Sequence, residues 1–281
     1  MYYSNRTTPD DLLKMKEEGR RIVMISVDQY YIAAAAERCG ADIICVPATV
    51  GMTALGHKRE FELSMDDFVR HCKAASRARK TALLVAEMPF GSYEVSEEDC
   101  LRNAIRLIKE GGADAVLLKG GLEIAPLIKA LNRHGIAAMA EVGLLPDDSD
   151  GTKQMNGCLV QGQDENSARQ LVEAAEELEE AGAFAIVLNC VTSVSARFLA
   201  EKLDVPVIGV GAGAGVDGQQ LSYEQLLGLE PNTAHFARKY ADLHEVCMSA
   251  LAAFCADVRE GRFPNEEESF AMDPDEAVKL Y

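Results

Sequence analysis

Four polar side chains stand at the ends of short apolar runs: Glu87 after Ala82–Ala86, Lys119 after Ala115–Leu118, Glu141 after Ala137–Ala140 and Asn189 after Ala185–Leu188. These residue types make a coherent set. A carboxylate moves protons when its pKa lies near the working pH. A fixed ammonium stabilises a developing anion, and its free amine condenses with a carbonyl. A carboxamide is no base at neutral pH but orients a carbonyl or amide. The plainer reading is a buried ion pair between Lys119 and Glu87 or Glu141, which is a poor stability device because desolvation rivals the Coulomb gain. Around them, Thr49 and Thr53 offer hydroxyls to a carboxylate or serve turn chemistry. His57 either touches a ligand or is an exposed loop histidine. Asp28 binds or caps the next helix. Cys190, beside Asn189, is a cysteine to test as a nucleophile.

The runs themselves set where these groups meet. Ile22–Val27 and Ile43–Val46 precede the four runs above, and each of the six is followed by a helix-like or Gly-containing stretch. Short apolar runs alternating with helical patterns predict parallel strands buried on both faces. A chain of 281 residues suits one α/β domain of the (β/α)8 barrel type, the TIM barrel, which needs roughly 250 residues. All strand C-termini of such a barrel open onto one rim, which gathers Glu87, Lys119, Glu141 and Asn189. The domain is expected to span 1–281, with a leading helix in 1–20 that runs from Pro9 to a Gly19 stop, and a C-terminal tail over 262–281.

Ser64 with Asp67, and Ser96 with Asp99, read as helix N-caps. Ala168, Leu171, Val172, Ala175 and Leu178 form one face of an acidic helix whose glutamates are a solvated surface. The long stretch Val142–Gln163 is a candidate lid or a structural excursion at an oligomer contact. The seventh strand leads into GVGAGAG, a tight glycine-rich rim turn containing Gly211 rather than a dinucleotide fingerprint. Thr233–Phe236 is the candidate eighth strand, before a helix over Tyr240–Arg259.

A net charge of −17 argues against nucleic acid, which needs clustered Lys and Arg. Apolar runs fall short of the roughly 20 residues of a membrane span, and the N-terminus lacks a signal-peptide core, so a soluble cytoplasmic protein is expected. Eight cysteines without a CxxC pair read as mostly buried, reduced thiols, Cys45 and Cys255 among them.

The motifs GMTALGH (Gly51–His57), AEMPF, LLKGG, VQG (Val160–Gly162), VIGVGAGAGVDGQ (Val207–Gln219), FARKYADL and GRFPNEEESF resemble the ketopantoate hydroxymethyltransferase family, in the family's order from Gly51 to Phe270. The resemblance implies a barrel of the phosphoenolpyruvate/pyruvate superfamily, a homo-oligomer, and transfer of a one-carbon unit from methylenetetrahydrofolate onto C3 of 3-methyl-2-oxobutanoate, with magnesium (Mg2+) holding the oxo acid. Thr49, Gly51, Met52, Thr53, His57 and Gly211 are the candidate substrate-binding positions. The family's reacting positions differ here. Its Asp-Ser pair is Ala48-Thr49, its second Asp is Glu87, its Lys-x-Glu falls on Leu117 and Lys119, its His is Glu141, and its proposed general base is Asn189. Three readings follow. In the first, Lys119 replaces the metal site and stabilises an enolate or forms an imine, for C–C bond making or breaking beside the carbonyl of a 2-oxo acid. In the second, Glu87 and Glu141 rebuild a metal site for the family reaction. The third is a silent paralogue kept for assembly or ligand binding.

Overall fold

Short aliphatic runs closed by a polar residue fold here as strands covered on both faces. In this computed structural model, which describes residues 6–144, 160–230 and 233–280, the strands are β1 (Ile22–Ser26), β2 (Ile43–Val46), β3 (Leu83–Glu87), β4 (Ala115–Lys119), β5 (Ala137–Gly143), β6 (Ile186–Asn189), β7 (Val207–Val210) and β8 (Gly218–Ser222). They pair in chain order, all parallel, and β8 closes on β1 from Ile22 opposite Gly218 to Ser26 opposite Ser222. The chain therefore folds as a closed (β/α)8 barrel.

The eighth strand corrects the sequence expectation. Gly218–Ser222 is polar, and its position comes from ladders on both sides, to β7 and β1, rather than from its own hydrophobicity. Thr233–Phe236 lies in irregular chain.

The helices begin where side chains can cap them. Thr8 and Asp11 form a capping box at α1 (Pro9–Glu17). After α2 (Tyr30–Arg38) and the short α3 (Val50–Thr53), Ser64 accepts from the Asp67 N–H to start α4 (Met65–Ala78). Ser96 does the same with Asp99 for α5 (Glu97–Arg106), which runs on into a π turn at Leu107–Gly111. α6 (Ala125–Arg133), α7 (Glu165–Glu180) and α8 (Ser193–Lys202) complete the outer ring. α7 buries Leu171, Ala174, Ala175 and Leu178 and leaves its glutamates largely outward.

Residues Met1–Tyr223 form one compact unit and Glu224–Tyr281 a second. The helix α9 (Tyr223–Leu227) starts at that boundary and leads to a turn in which the Tyr240 N–H donates to the Leu226 carbonyl. That bond holds Tyr240 outside the next helix, so α10 spans Leu243–Arg259 and not Tyr240–Arg259. α10 exposes Val246, Met248, Leu251, Phe254 and Val258. Cys39, Cys247 and Cys255 are exposed, which corrects the expectation for Cys255, while Cys45, Cys72, Cys100 and Cys190 are buried. Cys255 lies on α10, none of whose residues is buried.

Inside the barrel, side chains alternate inward and outward along each strand. Ile22, Met24, Ile43, Cys45, Leu83, Val85, Ala115, Leu117, Met139, Val187 and Ile208 fill the interior with Leu12 and Met15 of α1. Three aspartates fasten the strand starts: the Val23 N–H donates to Asp42, Leu84 to Asp114 and Val207 to Asp217. Lys16 of α1 reaches Asp217 at 3.0 Å and donates to the carbonyls of Ala200, Leu203 and Val205. Lys16→Met keeps the aliphatic stem and strands those acceptors. The expected cost is about 2–3 kcal/mol, read as a melting point lowered by roughly 5–10 °C. An unchanged melting point would show that the ammonium contributes nothing to the closure.

Candidate functional site

The inward parity of the core continues to the strand ends. Position 87 follows 83 and 85, 119 follows 115 and 117, 141 follows 137 and 139, and 189 follows 185 and 187. Glu87, Lys119, Glu141 and Asn189 therefore cap the barrel interior from four consecutive strands, as the sequence pattern predicts. Lys119 sits opposite Glu141 in the β4–β5 register. Its Nζ lies 2.6 Å from Glu87 Oε1. Asn189 Nδ2 donates to Glu141 Oε1 at 2.8 Å. On the β8 and β1 side, Gln220 donates to the buried Ser26 hydroxyl at 2.8 Å.

The backbone behind these groups is tied down. The Tyr93 hydroxyl donates to the Lys119 carbonyl at 3.0 Å and the Gly120 N–H to the Glu141 carbonyl at 3.0 Å. Cys190 takes a left-handed backbone, φ 53°, with its N–H donating to Val210 O and its carbonyl accepting from Gln161. Its thiol is buried, so its observed part is to turn the chain after Asn189. Thr192 and Ser195 hold the carbonyl of Gly162 to the same corner. The candidate lid Val142–Gln163 is seen at its two ends, while residues 145–159 lie outside the described residues.

A fifth member, the fourth that is charged, completes the cluster, and the residue pattern does not announce it. Glu60, on a single 3-10 turn (Glu60–Glu62) in the connection between β2 and α4, places Oε1 3.1 Å from Lys119 Nζ. Neither the run GHKREFEL around it nor the PFGSYE around Tyr93 has a periodicity or motif that would mark either residue; both reach the site by loop geometry.

Three carboxylates thus surround one ammonium in a largely buried space. Burial works against the charge on Lys119, yet Glu87, Glu60 and Glu141 override it and hold the ammonium well above the ordinary lysine range. Burial lifts Glu87 to about 8, with Lys119 pulling it down and Glu60 and Glu141 adding to the rise. Burial also raises Glu141, offset in part by Lys119 and by the Asn189 hydrogen bond. Just below, burial pushes the Cys45 thiol up, so it stays neutral. An ammonium and a carboxylate that titrates near neutrality are the pair needed to stabilise an anion and move a proton.

The remaining sequence candidates stand on other parts of the rim. Thr49 precedes α3, and the Thr53 hydroxyl donates back to the Thr49 carbonyl, as turn chemistry would have it. Met52 is exposed, and Gly51 is buried and closely packed, since a Cβ would come 3.1 Å from His57 Nδ1 and from Leu63 Cβ. His57 is half-buried and donates its N–H to the Gly51 carbonyl. Gly211 follows β7 with φ 64°. Asp28 is buried after β1, its carbonyl against His71 Nδ1 at 2.8 Å.

Comparison with known proteins agrees with this architecture. The model of a family described as ketopantoate hydroxymethyltransferase matches residues 6–266. A 3-methyl-2-oxobutanoate hydroxymethyltransferase of Carboxydothermus hydrogenoformans is 40% identical over 278 residues, 99% of this chain and 100% of that protein. One from Moorella thermoacetica is 42% identical over 271 residues, 96% of this chain and 100% of that protein. Among solved structures, 2,3-dimethylmalate lyase shares the fold with TM-score 0.58 at 15% identity, covering 98% of each chain. Phosphonopyruvate hydrolase complexed with oxalate and magnesium also gives TM-score 0.58 at 15% identity, covering 97% of this chain and 96% of that one.

Proposed function

The chain belongs to the ketopantoate hydroxymethyltransferase family, and from that premise we propose that it makes or breaks a C–C bond beside the carbonyl of a 2-oxo acid, with Lys119 as the cation that holds the enolate. The observation that carries this reading is the ammonium of Lys119 inside the barrel mouth, 2.6 Å from Glu87. In this reading an oxo oxygen and a carboxylate of the substrate lie against that charge. Ionised Glu87 takes the C3 proton, the electrons move onto the carbonyl oxygen, and Lys119 stabilises the oxyanion in a site with little water. Glu141, oriented by Asn189, lines the other side. The enolate carbon would then form the new C–C bond to the methylene carbon of a one-carbon donor, which the family resemblance takes to be methylenetetrahydrofolate, as the donor's C–N bonds break, water supplies the hydroxyl oxygen and tetrahydrofolate leaves. Thr49, Gly51, Met52, Thr53, His57 and Gly211 belong to the substrate side of the rim in this reading.

Magnesium is the family's expected partner, but the donor set here does not fit it. Magnesium requires near-octahedral oxygen ligands. Position 48 is Ala, Glu87 already faces an ammonium, and among the described residues no group of three His, Cys, Asp or Glu side chains is arranged to hold a metal ion. An imine at Lys119 is disfavoured on separate grounds, because Glu87 and Glu60 hold the nitrogen as ammonium and deny it a nucleophilic lone pair. Titratable groups gathered at the mouth also argue against a silent paralogue, which gains nothing from them. The resemblance implies a homo-oligomer, and the apolar side chains along α10 support self-association. Among the described residues no helix is long and apolar enough to cross a membrane.

The test follows loss of the C3 proton of 3-methyl-2-oxobutanoate in D2O by NMR, without any one-carbon donor. Exchange is expected with chelator present, at a rate that rises with pH to a plateau above about 8, because the base form of Glu87 is required and its pKa is raised to about 8. Exchange abolished by chelator and restored by magnesium would replace this reading with a rebuilt metal site. No exchange under either condition would remove the oxo-acid chemistry.

A further inference from the structure

The mouth of the barrel is already neutralised by a residue of its own loop. Lys119 has two ion-pair partners, Glu87 at 2.6 Å from β3 and Glu60 at 3.1 Å from the connection between β2 and α4. Side-chain exposure rises outward through the cluster, from 5% for Glu87 to 12% for Lys119 and 21% for Glu60. Glu60 is the outermost member. A 2-oxo acid brings a carboxylate of its own, and adding it beside Glu60, Glu87 and Glu141 would set four acidic groups against one ammonium. The like-charge cost falls away if one carboxylate leaves as the other arrives. We infer that the Glu60 carboxylate occupies the subsite for the substrate's carboxylate and is displaced from Lys119 when the 2-oxo acid binds. This inference rests on the oxo-acid reading above.

The segment that carries Glu60 is built to let go. Lys58, Arg59, Phe61 and Glu62 are exposed, and the Glu60–Glu62 turn contains no buried residue. Its outer face is held by Phe61, which meets Phe90 edge-on at 6.1 Å, and by Arg59 stacked 5.3 Å over the Phe61 ring. Firm anchors flank it. The His57 N–H is bonded to the Gly51 carbonyl before it, and after it come buried Leu63 and the Ser64 cap of α4. A short exposed strap between fixed ends opens locally at little cost to the rest of the fold. Swinging out, it would uncover Lys119 and carry a carboxylate away in the same movement.

The exchange of one carboxylate for another also sets selectivity. Only a ligand carrying an anion in reach of Lys119 compensates for the lost Glu60 pair, so a neutral aldehyde or ketone binds the open mouth without that compensation and more weakly.

Titration calorimetry with 3-methyl-2-oxobutanoate compares the parent protein with Glu60→Gln, Phe61→Ala and the exposed neighbour Glu62→Gln. A plug in place nine-tenths of the time reduces apparent affinity about ten-fold, so Glu60→Gln is expected to bind about ten times more tightly. Phe61→Ala, which only loosens the strap, moves the same way by less, and Glu62→Gln leaves affinity unchanged. In the parent protein, saturating ligand speeds amide hydrogen exchange across residues 58–62. Equal affinity in Glu60→Gln and the parent, or weaker affinity in the variant, overturns the plug and leaves the oxo-acid reading standing. Failure of every protein to bind overturns both.

Discussion

Lys119→Met will slow C3 proton exchange of a 2-oxo acid by on the order of 10²–10³-fold, the loss typical of removing one preorganised group that stabilises an oxyanion. The methionine stem fills the space and keeps the layer beneath intact, so the deficit reports charge rather than collapse. Stability gives a second signature. With the ammonium removed, Glu87 and Glu141 remain buried facing Glu60, and their folded pKa values, already raised by burial, lose the cation that pulls them down. A carboxyl whose folded pKa lies above its unfolded value contributes its stability at low pH and loses it as pH rises through the folded value. The variant should therefore unfold in urea near the parent midpoint at pH 6 and well below it at pH 9. Lys119→Arg restores the charge and should recover the pH 9 midpoint while leaving exchange slow, because a planar fork does not place its charge where a compact ammonium does. Full exchange activity in Lys119→Met would end the electrostatic role. A midpoint difference independent of pH would show that the carboxylates do not depend on the lysine.

Gly143→Ala is the second large effect, and it acts through the backbone. Gly143 has φ 111° and is paired in register with Asn189. A Cβ there would lie 2.1 Å from the Asn189 carbonyl oxygen, and no rotation of a side chain relieves a clash with backbone. The strained φ alone costs about 1–3 kcal/mol. Displacing β6 adds to it, for a total of about 4 kcal/mol and a melting point lowered by roughly 10 °C or more. Because the carbonyl belongs to Asn189, the carboxamide shifts with it and its bond to Glu141 is lost. Gly135→Ala is the control. It has φ 75° with nothing within 4 Å of the added carbon, so it should pay strain only and keep its activity. If the two variants melt together, close packing of Gly143 on β6 is not what holds this corner.

Much of this arrangement was open to inspection before folding. The barrel follows from apolar runs that repeat with helices between them, and the meeting of Glu87, Lys119, Glu141 and Asn189 follows from the fact that each ends such a run at the inward parity of its strand. Helix starts were equally plain, since Ser64 and Ser96 cap as their spacing to Asp67 and Asp99 requires. The eighth strand was hidden because GQQLS owes its place to its neighbours' hydrogen bonds and carries no hydrophobic signal. Glu60 was hidden for a different reason. A loop side chain acquires meaning only from where the loop returns, and no local pattern in KREFEL encodes a contact with a lysine 59 positions further on. The exposed Cys255 shows the limit of apolar context as a guide, because the same pattern serves a buried helix and one left uncovered within its own unit.

The fastenings of Lys16, Asp42, Asp114 and Asp217 all lie at the opposite end of the strands from Glu87, Lys119, Glu141 and Asn189. Strands of about five residues separate the two by roughly 15 Å, beyond the range over which substitutions usually interfere with one another. The base of this molecule can therefore be hardened against heat, or weakened, as an adjustment independent of whatever reaction the mouth performs. New catalysts could be selected at the mouth on a foundation reinforced beforehand.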